Sequence, residues 1–298
     1  MSVLVTGGAG FIGSNLVEDL LASGKKVTVL DNMDTGNTSN LKDLGGDQEV
    51  IEGSCADVLK FNLKPEAIYH LGIPSSSPMY KKNPFLVGEA INGTIAVFEL
   101  ARSAKCRVVY ASSSSLYSGL TPPHMEDMPI QVTDYYTEAR LAIERIAELY
   151  KRLFGVTSAG MRFFSVYGPK EKSKKQYANM VSQFLWEMME GKSPVIYGDG
   201  TQTRDFTYVK DVVKALRLAM GSDYHGILNV GNGAAYSFND VVDLINEGIG
   251  SEIKPKYVDN PIKNYVSHTL ADTSKTKEIL GFEACCTLND GIRSLIKS

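Results

Sequence analysis

Two side chains four residues apart, Tyr136 and Arg140, are the first candidates for chemistry. If Tyr136 opens a helix, Arg140 lies one turn along on the same face. A cation in that position favours phenolate over phenol. Without such help tyrosine is too weak an acid to serve as a base near neutrality. A serine string, Ser112–Ser115, continues a predicted strand at Val108–Ala111. Ser112 and Ser113 therefore fall at the end of that strand, where a hydroxyl can bridge a substrate hydroxyl and the phenol. Alone, the Tyr-x-x-x-Arg spacing also suits an ordinary pair on a helix surface.

A second group of residues makes the chemistry more specific. Val3–Thr6 is a short apolar run, followed by Gly7-Gly8-Ala9-Gly10-Phe11-Ile12-Gly13 and an amphipathic run with Leu16, Val17, Leu20 and Leu21. Lys26–Leu30 reads as another strand, closed by Asp31. Strand, glycine turn, helix and a strand ending in an acid form the arrangement that binds a dinucleotide pyrophosphate. Glycines at 7, 10 and 13 let backbone approach phosphate where a Cβ would clash. The following helix aims free N–H groups and its positive dipole end at the phosphates. The Asp31 carboxylate can accept hydrogen bonds from a ribose diol and should repel a 2′-phosphate, so NAD is expected rather than NADP.

The rest of the chain must position these groups. Its 298 residues can bury a large core, as one large domain or two. Apolar content of 43% and charged content of 22% suit a globular protein. A net charge of −3 gives no general attraction for nucleic acid. The first strand starts at residue 3, so no leader peptide is expected. No apolar run approaches the roughly 18 residues of a membrane span. Cys55, Cys106, Cys285 and Cys286 show no metal-ligand spacing and read as reduced thiols of a cytoplasmic protein. No metal is expected.

Strand and helix signals alternate through the first half. Glu49–Ile51, Ala67–His70, Val108–Ala111 and Ser158–Phe163 read as strands; Glu89–Ala101 and Tyr136–Phe154 read as helices. This alternation predicts an α/β fold with a doubly wound parallel sheet. Loops after Val5, Leu30, His70, Ala111 and Phe163 should then crowd one edge, where such sheets bind ligands. After Gly168-Pro169 the texture changes, with a lysine-rich loop at Lys170–Lys175. A helix at Met180–Met189, a strand at Phe206–Val209, a buried strand at Ile227–Val230 and a helix at Phe238–Ile249 opened by Ser237 follow. The expected division is a dinucleotide-binding Rossmann domain at 1–169 and a smaller α/β substrate-binding domain at 170–298. A segment near 227–250 is expected to return to the main sheet.

With both motifs in one chain, the sequence resembles the extended short-chain dehydrogenase/reductase family, in particular its nucleotide-sugar epimerases of the UDP-glucose 4-epimerase type. The resemblance rests on Thr6–Gly13, Asp31-Asn32, His70-Leu71-Gly72, Ser112–Tyr117, Tyr136–Arg140, Arg162–Pro169, Gly198–Val209, Asn229–Gly231, Ala271–Lys275 and Leu280-Gly281. It implies that Tyr136 is the general base, Ser113 a hydroxyl relay and Arg140 the catalytic cation. In such enzymes the C4 hydroxyl loses its proton while hydride passes to NAD, and the 4-keto sugar rotates before hydride returns. Cofactor contacts are implied at Gly7, Gly10, Phe11, Ile12, Gly13, Asp31, Asn32, Gly36, Leu71, Gly72, Ser112, Tyr136, Arg140 and Phe164. Substrate contacts are implied at Ser113, Tyr136, Ser165, Lys174, Asn179, Arg204 and Tyr265, with Arg204 gripping the nucleotide diphosphate.

The chain departs from the family's pattern at four places. Arg140 stands where lysine is usual, Ser54 where an adenine-pocket Asp is usual, Ala90 where a cofactor-contacting Asn is usual, and Ser165 where a phosphate-contacting Asn is usual. Ser114 and Ser115 occupy the positions where dehydratases carry Asp-Glu and decarboxylases a Glu, which argues against both. Tyr167–Glu171, Lys174 and Tyr265 also resemble ADP-glycero-manno-heptose 6-epimerases, where a lysine at the position of Lys174 is a second base. A non-catalytic protein that binds NAD or a sugar nucleotide is the reading from another class. Family members pair the helices matching Glu89–Ala101 and Tyr136–Phe154 into a four-helix bundle, which implies a homodimer.

Overall fold

The computed structural model describes residues 2–261 and 265–297. Its strands are β1 (Ser2–Thr6), β2 (Lys26–Asp31), β3 (Gln48–Glu52), β4 (Ala67–His70), β5 (Arg107–Ser113), β6 (Ser158–Phe163), β7 (Val166–Tyr167), β8 (Val195–Tyr197), β9 (Thr203–Asp205), β10 (Thr207–Tyr208), β11 (Gly226–Val230), β12 (Ala235–Ser237) and β13 (Lys256–Val258). Its α-helices are α1 (Phe11–Ala22), α2 (Ser77–Lys82), α3 (Leu86–Ala104), α4 (Tyr135–Phe154), α5 (Met180–Met189), α6 (Val209–Gly221), α7 (Phe238–Ile249), α8 (Ser274–Leu280) and α9 (Leu288–Ile296).

One sheet of seven strands runs in the order β11-β6-β5-β4-β1-β2-β3. Every neighbouring pair in it is parallel. Parallel strands are buried on both faces, and alternate residues supply opposite faces. Val3 and Val5 face one core together with Val27, Val29, Tyr69 and Val109, while Leu4, Leu30, Ile68, Val108 and Tyr110 face the other. Residues of α1 and α6 (Leu16, Leu20, Val212, Leu216) cover the first face. Residues of α3 and α4 (Val97, Phe98, Ile143, Ala147) cover the second. The chain turns from one half of the sheet to the other between β1 and β4, so a crevice opens beyond the carboxyl ends of those strands.

A separate core gathers Val181, Phe184 and Leu185 of α5, Phe238, Val241 and Ile245 of α7, and Leu288 and Ile292 of α9. The sequence marks the start of α7 well. Ser237 accepts a hydrogen bond from Asp240 N, and the Asp240 side chain answers to the Ser237 backbone. Three local expectations change. The predicted strand at Phe206–Val209 becomes β10 at Thr207–Tyr208 and the start of α6, because Val209 already belongs to that helix. The helix over Glu89–Ala101 extends to Leu86–Ala104. Ser77–Lys82 forms a short helix that the apolar pattern did not suggest. Among the described residues, no helix is long and apolar enough to cross a membrane.

Although β11 follows β6 by more than sixty residues, it pairs with it along its whole length, Leu228 opposite Met161. Leu228 has no exposed surface. Leu228→Ala should therefore destabilise the main core by roughly 2–5 kcal/mol. Urea unfolding followed by circular dichroism reads this as a lower midpoint at unchanged slope.

Candidate active site

The crevice holds a cavity of about 360 Å³. Its first wall is the glycine turn. Gly7 is left-handed (φ +68°), and a Cβ on it would strike the Gly72 backbone. A Cβ on Gly13 would strike the Gly7 carbonyl. Glycine thus lets β1, α1 and the loop after β4 close on one another. No side chain caps α1 at Gly10, and the N–H groups that open a helix have no carbonyl within it to bond. Phe11, Ile12, Gly13, Leu71 and Gly72 line the cavity beside Gly7 and Gly10.

Asp31 and Asn32 line it from the end of β2. The buried Asp31 carboxylate accepts from Ala9 N at 2.9 Å and from Met33 N at 2.9 Å. Burial pushes its carboxyl above the ordinary value, and these N–H groups work against that. Each oxygen keeps a lone pair for a further donor. Gly36 does not line the cavity. It lies against the Asp31 carboxylate, where any side chain would collide with it.

Across the sheet, Ser112, Ser113, Tyr136 and Arg140 meet on the opposite wall. Helix α4 is started by Asp134, which accepts from Thr137 N at 2.8 Å. This cap puts Tyr136 in the first turn. The Ser113 oxygen accepts from Ser115 N at 3.1 Å. The Arg140 guanidinium lies over the face of the Tyr136 ring, 4.7 Å from its centroid. Its Nη2 donates to the Pro74 carbonyl at 2.9 Å. Its Nε and Nη1 are buried and make no hydrogen bond among the described residues. Burial acts to lower the pKa of Arg140, but the neighbouring phenols of Tyr136 and Tyr80 outweigh it and hold the group above its ordinary value. The fully buried Tyr80 ring meets Tyr136 edge-on at 5.5 Å. Burial pushes the Tyr80 phenol up to about 12.

Of the substrate candidates, Ser165, Lys174 and Asn179 line this same cavity. Lys174 Nζ pairs with Glu171 Oε1 at 3.2 Å and lies 5.4 Å from the Phe11 ring centroid. The buried Glu171 also accepts from Asn179 N at 2.7 Å. Arg204 and Tyr265 do not reach the cavity lining. They pack together, with the guanidinium carbon 5.3 Å from the Tyr265 ring centroid. Arg204 donates instead to the carbonyls of Thr203, Ser267 and Val266.

The expected contact at Phe164 is corrected. Successive side chains of an extended segment point to opposite sides. Phe163 and Ser165 face the cavity, whereas Phe164 is fully buried against Tyr117 and His124. Sequence reasoning also passed over Ile73, Pro74, Ser75 and Met79, which form the floor beneath Tyr136 and Arg140. The only signal for them was their place after β4, at the edge where loops gather. Among the described residues, no group of His, Cys, Asp or Glu is arranged to hold a metal ion.

The residues present fit a dinucleotide. The glycine turn leaves room for a pyrophosphate, Asp31 offers acceptors, and two buried guanidinium donors await a partner beside Tyr136. A family model for NAD dependent epimerases and dehydratases matches residues 3–231. The chain belongs to the NAD dependent epimerase/dehydratase family. Its cofactor is NAD.

A putative UDP-glucose 4-epimerase of Methanocaldococcus jannaschii is 34% identical over 303 residues, covering 99% of this chain and 97% of that protein. UDP-glucuronic acid decarboxylase 6 of Arabidopsis thaliana is 33% identical over 302 residues, covering 98% of this chain and 87% of that one. The crystal structure of UDP-glucose 4-epimerase with UDP-glucose from Thermotoga maritima superposes with a TM-score of 0.92 at 29% identity. It covers 100% of this chain and 98% of that chain.

Gly13→Ala should empty the site of nucleotide, since the added methyl meets the Gly7 carbonyl rather than a movable side chain. Protein purified with this substitution is expected to release no NAD on denaturation, assayed by chromatography of the supernatant. Wild-type protein should release NAD.

Proposed function

We propose that this protein is an NAD-dependent nucleotide-sugar 4-epimerase acting on a UDP-hexose or its N-acetyl form. One observation carries the reading. The wall that holds Tyr136 offers a phenol backed by a cation and a row of hydroxyls, with serine at both 114 and 115. The carboxylates that line the cavity, Asp31 and Asp34, lie at and just after the end of β2. The order β5-β4-β1-β2 puts them three strand spacings away, about 14 Å. Elimination of water or loss of carbon dioxide from the sugar calls for a further acid–base group beside the phenol. Reversible oxidation of one hydroxyl does not.

Tyr136 takes the proton of the sugar hydroxyl and later returns it. Ser113 holds that hydroxyl in line with the phenol. Arg140 steadies the negative charge that develops between them. NAD bound along the glycine turn supplies the reversible two-electron oxidation. The decarboxylase relatives favour a second reading, release of carbon dioxide from UDP-glucuronic acid, for which Ser114 and Ser115 supply no carboxylate. A third reading assigns Lys174 as a second base, as in the heptose epimerases. Its ion pair with Glu171 suits a fixed cation for a substrate phosphate better than a proton acceptor.

Tyr136→Phe should cut interconversion of UDP-glucose and UDP-galactose, or of their N-acetyl forms, by about 10³-fold while NAD stays bound. Arg140→Lys should retain or raise activity, because it keeps the charge and restores the compact donor. Full activity in Tyr136→Phe overturns the mechanism. Bound NAD with no turnover of any sugar nucleotide, by wild type or by Arg140→Lys, favours a binding protein. Carbon dioxide released from UDP-glucuronic acid, with no epimer formed, favours the decarboxylase.

We further propose a homodimer that joins α3 and α4 to their copies. Ile95 of α3 and Leu149 and Leu153 of α4 are exposed apolar side chains on the outer face of this pair. Light scattering at micromolar concentration should return twice the mass of 32.5 kDa. A monomer at that concentration contradicts the proposal.

A further inference from the structure

Helix α4 carries a third polar side chain in line with the first two. Tyr136, Arg140 and Glu144 are spaced by four, so they stack along one face. Glu144 is buried and does not line the cavity. Its carboxylate accepts three hydrogen bonds. Arg162 of β6 donates to it twice, Nη2 to Oε2 at 2.7 Å and Nε to Oε1 at 2.9 Å. Ser112 at the end of β5 donates its hydroxyl to Oε1 at 2.6 Å. Arg162 Nη1 goes on to donate to the Tyr117 hydroxyl at 2.8 Å, which donates to Asn229 Oδ1 at 2.7 Å.

Both partners of the ion pair have side chains less than a tenth exposed. Breaking such a pair leaves an uncompensated charge in the interior, so its geometry is held tightly. It is a single polar junction among α4, β5 and β6. These three elements supply Tyr136 and Arg140, Ser112 and Ser113, and the chain that leads to Ser165. Ser112 spends its only proton on Glu144, so toward the cavity its oxygen can only accept.

We propose that Glu144 and Arg162 are positioning residues of the active site: their buried pair fixes the register of α4 on the sheet, and so the placement of Tyr136 and Arg140 against Ser113 and the cofactor. This rests on the epimerase reading above. Apolar packing alone lets a helix slide by fractions of an ångström, whereas a two-pronged charged bond does not. A misplacement of about 1 Å is enough to cost 10²-fold in rate.

The test compares Glu144→Gln, Arg162→Met and Arg162→Lys with wild type, each checked for cooperative unfolding. Three quantities are read: kcat and KM for the epimerised sugar nucleotide, and the rate at which bound NAD is lost on dilution. Glu144→Gln and Arg162→Met should lower kcat about 100-fold with KM within about threefold of wild type. Arg162→Lys should recover about tenfold of that loss. NAD should leave each of the first two variants about tenfold faster. A folded Glu144→Gln protein with wild-type kcat and wild-type NAD release overturns the proposal. So does a loss of activity that only follows the folded fraction.

If Glu144→Gln and Arg162→Met do not fold, Arg162→Lys decides, since it keeps the charge and removes the two-pronged bond. An unchanged kcat and NAD release rate there overturns the proposal, and about a tenfold loss of kcat at unchanged KM supports it. Wild-type protein that turns over no sugar nucleotide sinks the epimerase reading instead. In that case the NAD release rates alone judge the positioning role.

Discussion

The site depends on one constraint, that every strand of the main sheet points the same way. A parallel sheet delivers all its carboxyl ends to a single edge, and the chain must return to the other edge by crossovers over its two faces. The glycine turn after β1, Asp31 at the end of β2, the floor after β4 and the serines after β5 are neighbours for that reason alone. No contact among them is needed to bring them together. What remains is fine placement, and close backbone packing and buried polar bonds do that. Gly7, Gly13 and Gly72 permit the first, and the junction of Ser112, Glu144 and Arg162 supplies the second.

Much of this was legible in the sequence because it follows from local rules. The alternation of β-branched runs with amphipathic runs carries the fold. The glycine spacing and the terminal acid of β2 identify the dinucleotide wall, and the tyrosine four residues before a cation identifies the other. The start of α7 at Ser237 is legible because a serine and an aspartate three residues apart satisfy each other's backbone N–H groups.

What was not legible depends on where distant segments lie. Nothing near Arg204 says that the carbonyls of residues 266 and 267 will absorb its guanidinium. Phe164 differs from its neighbours Phe163 and Ser165 only in the parity of an extended strand, and the register that fixes that parity is set by pairing with β5 and β11. Pro74 and Tyr80 reach Arg140 from the loop after β4 and from the short helix α2, neither of which periodicity encodes. Arginine at 140 is itself understandable only in this setting. A guanidinium is broad enough to lie on one phenol, approach a second and still donate to the Pro74 carbonyl.

The position of β11 also bears on how the chain reaches this state. β6 is complete at Phe163, yet its outer neighbour begins at Gly226. During synthesis at roughly 5–20 residues per second, that gap is an interval of several seconds. Throughout it the backbone of β6 is an open row of donors and acceptors, flanked by Val109, Ala159 and Met161 on an incomplete core. Such an edge is a template for a foreign strand. The nascent chain is therefore exposed to misassembly while residues 164–225 are being made, and over this stretch a chaperone holding the unfinished sheet would matter.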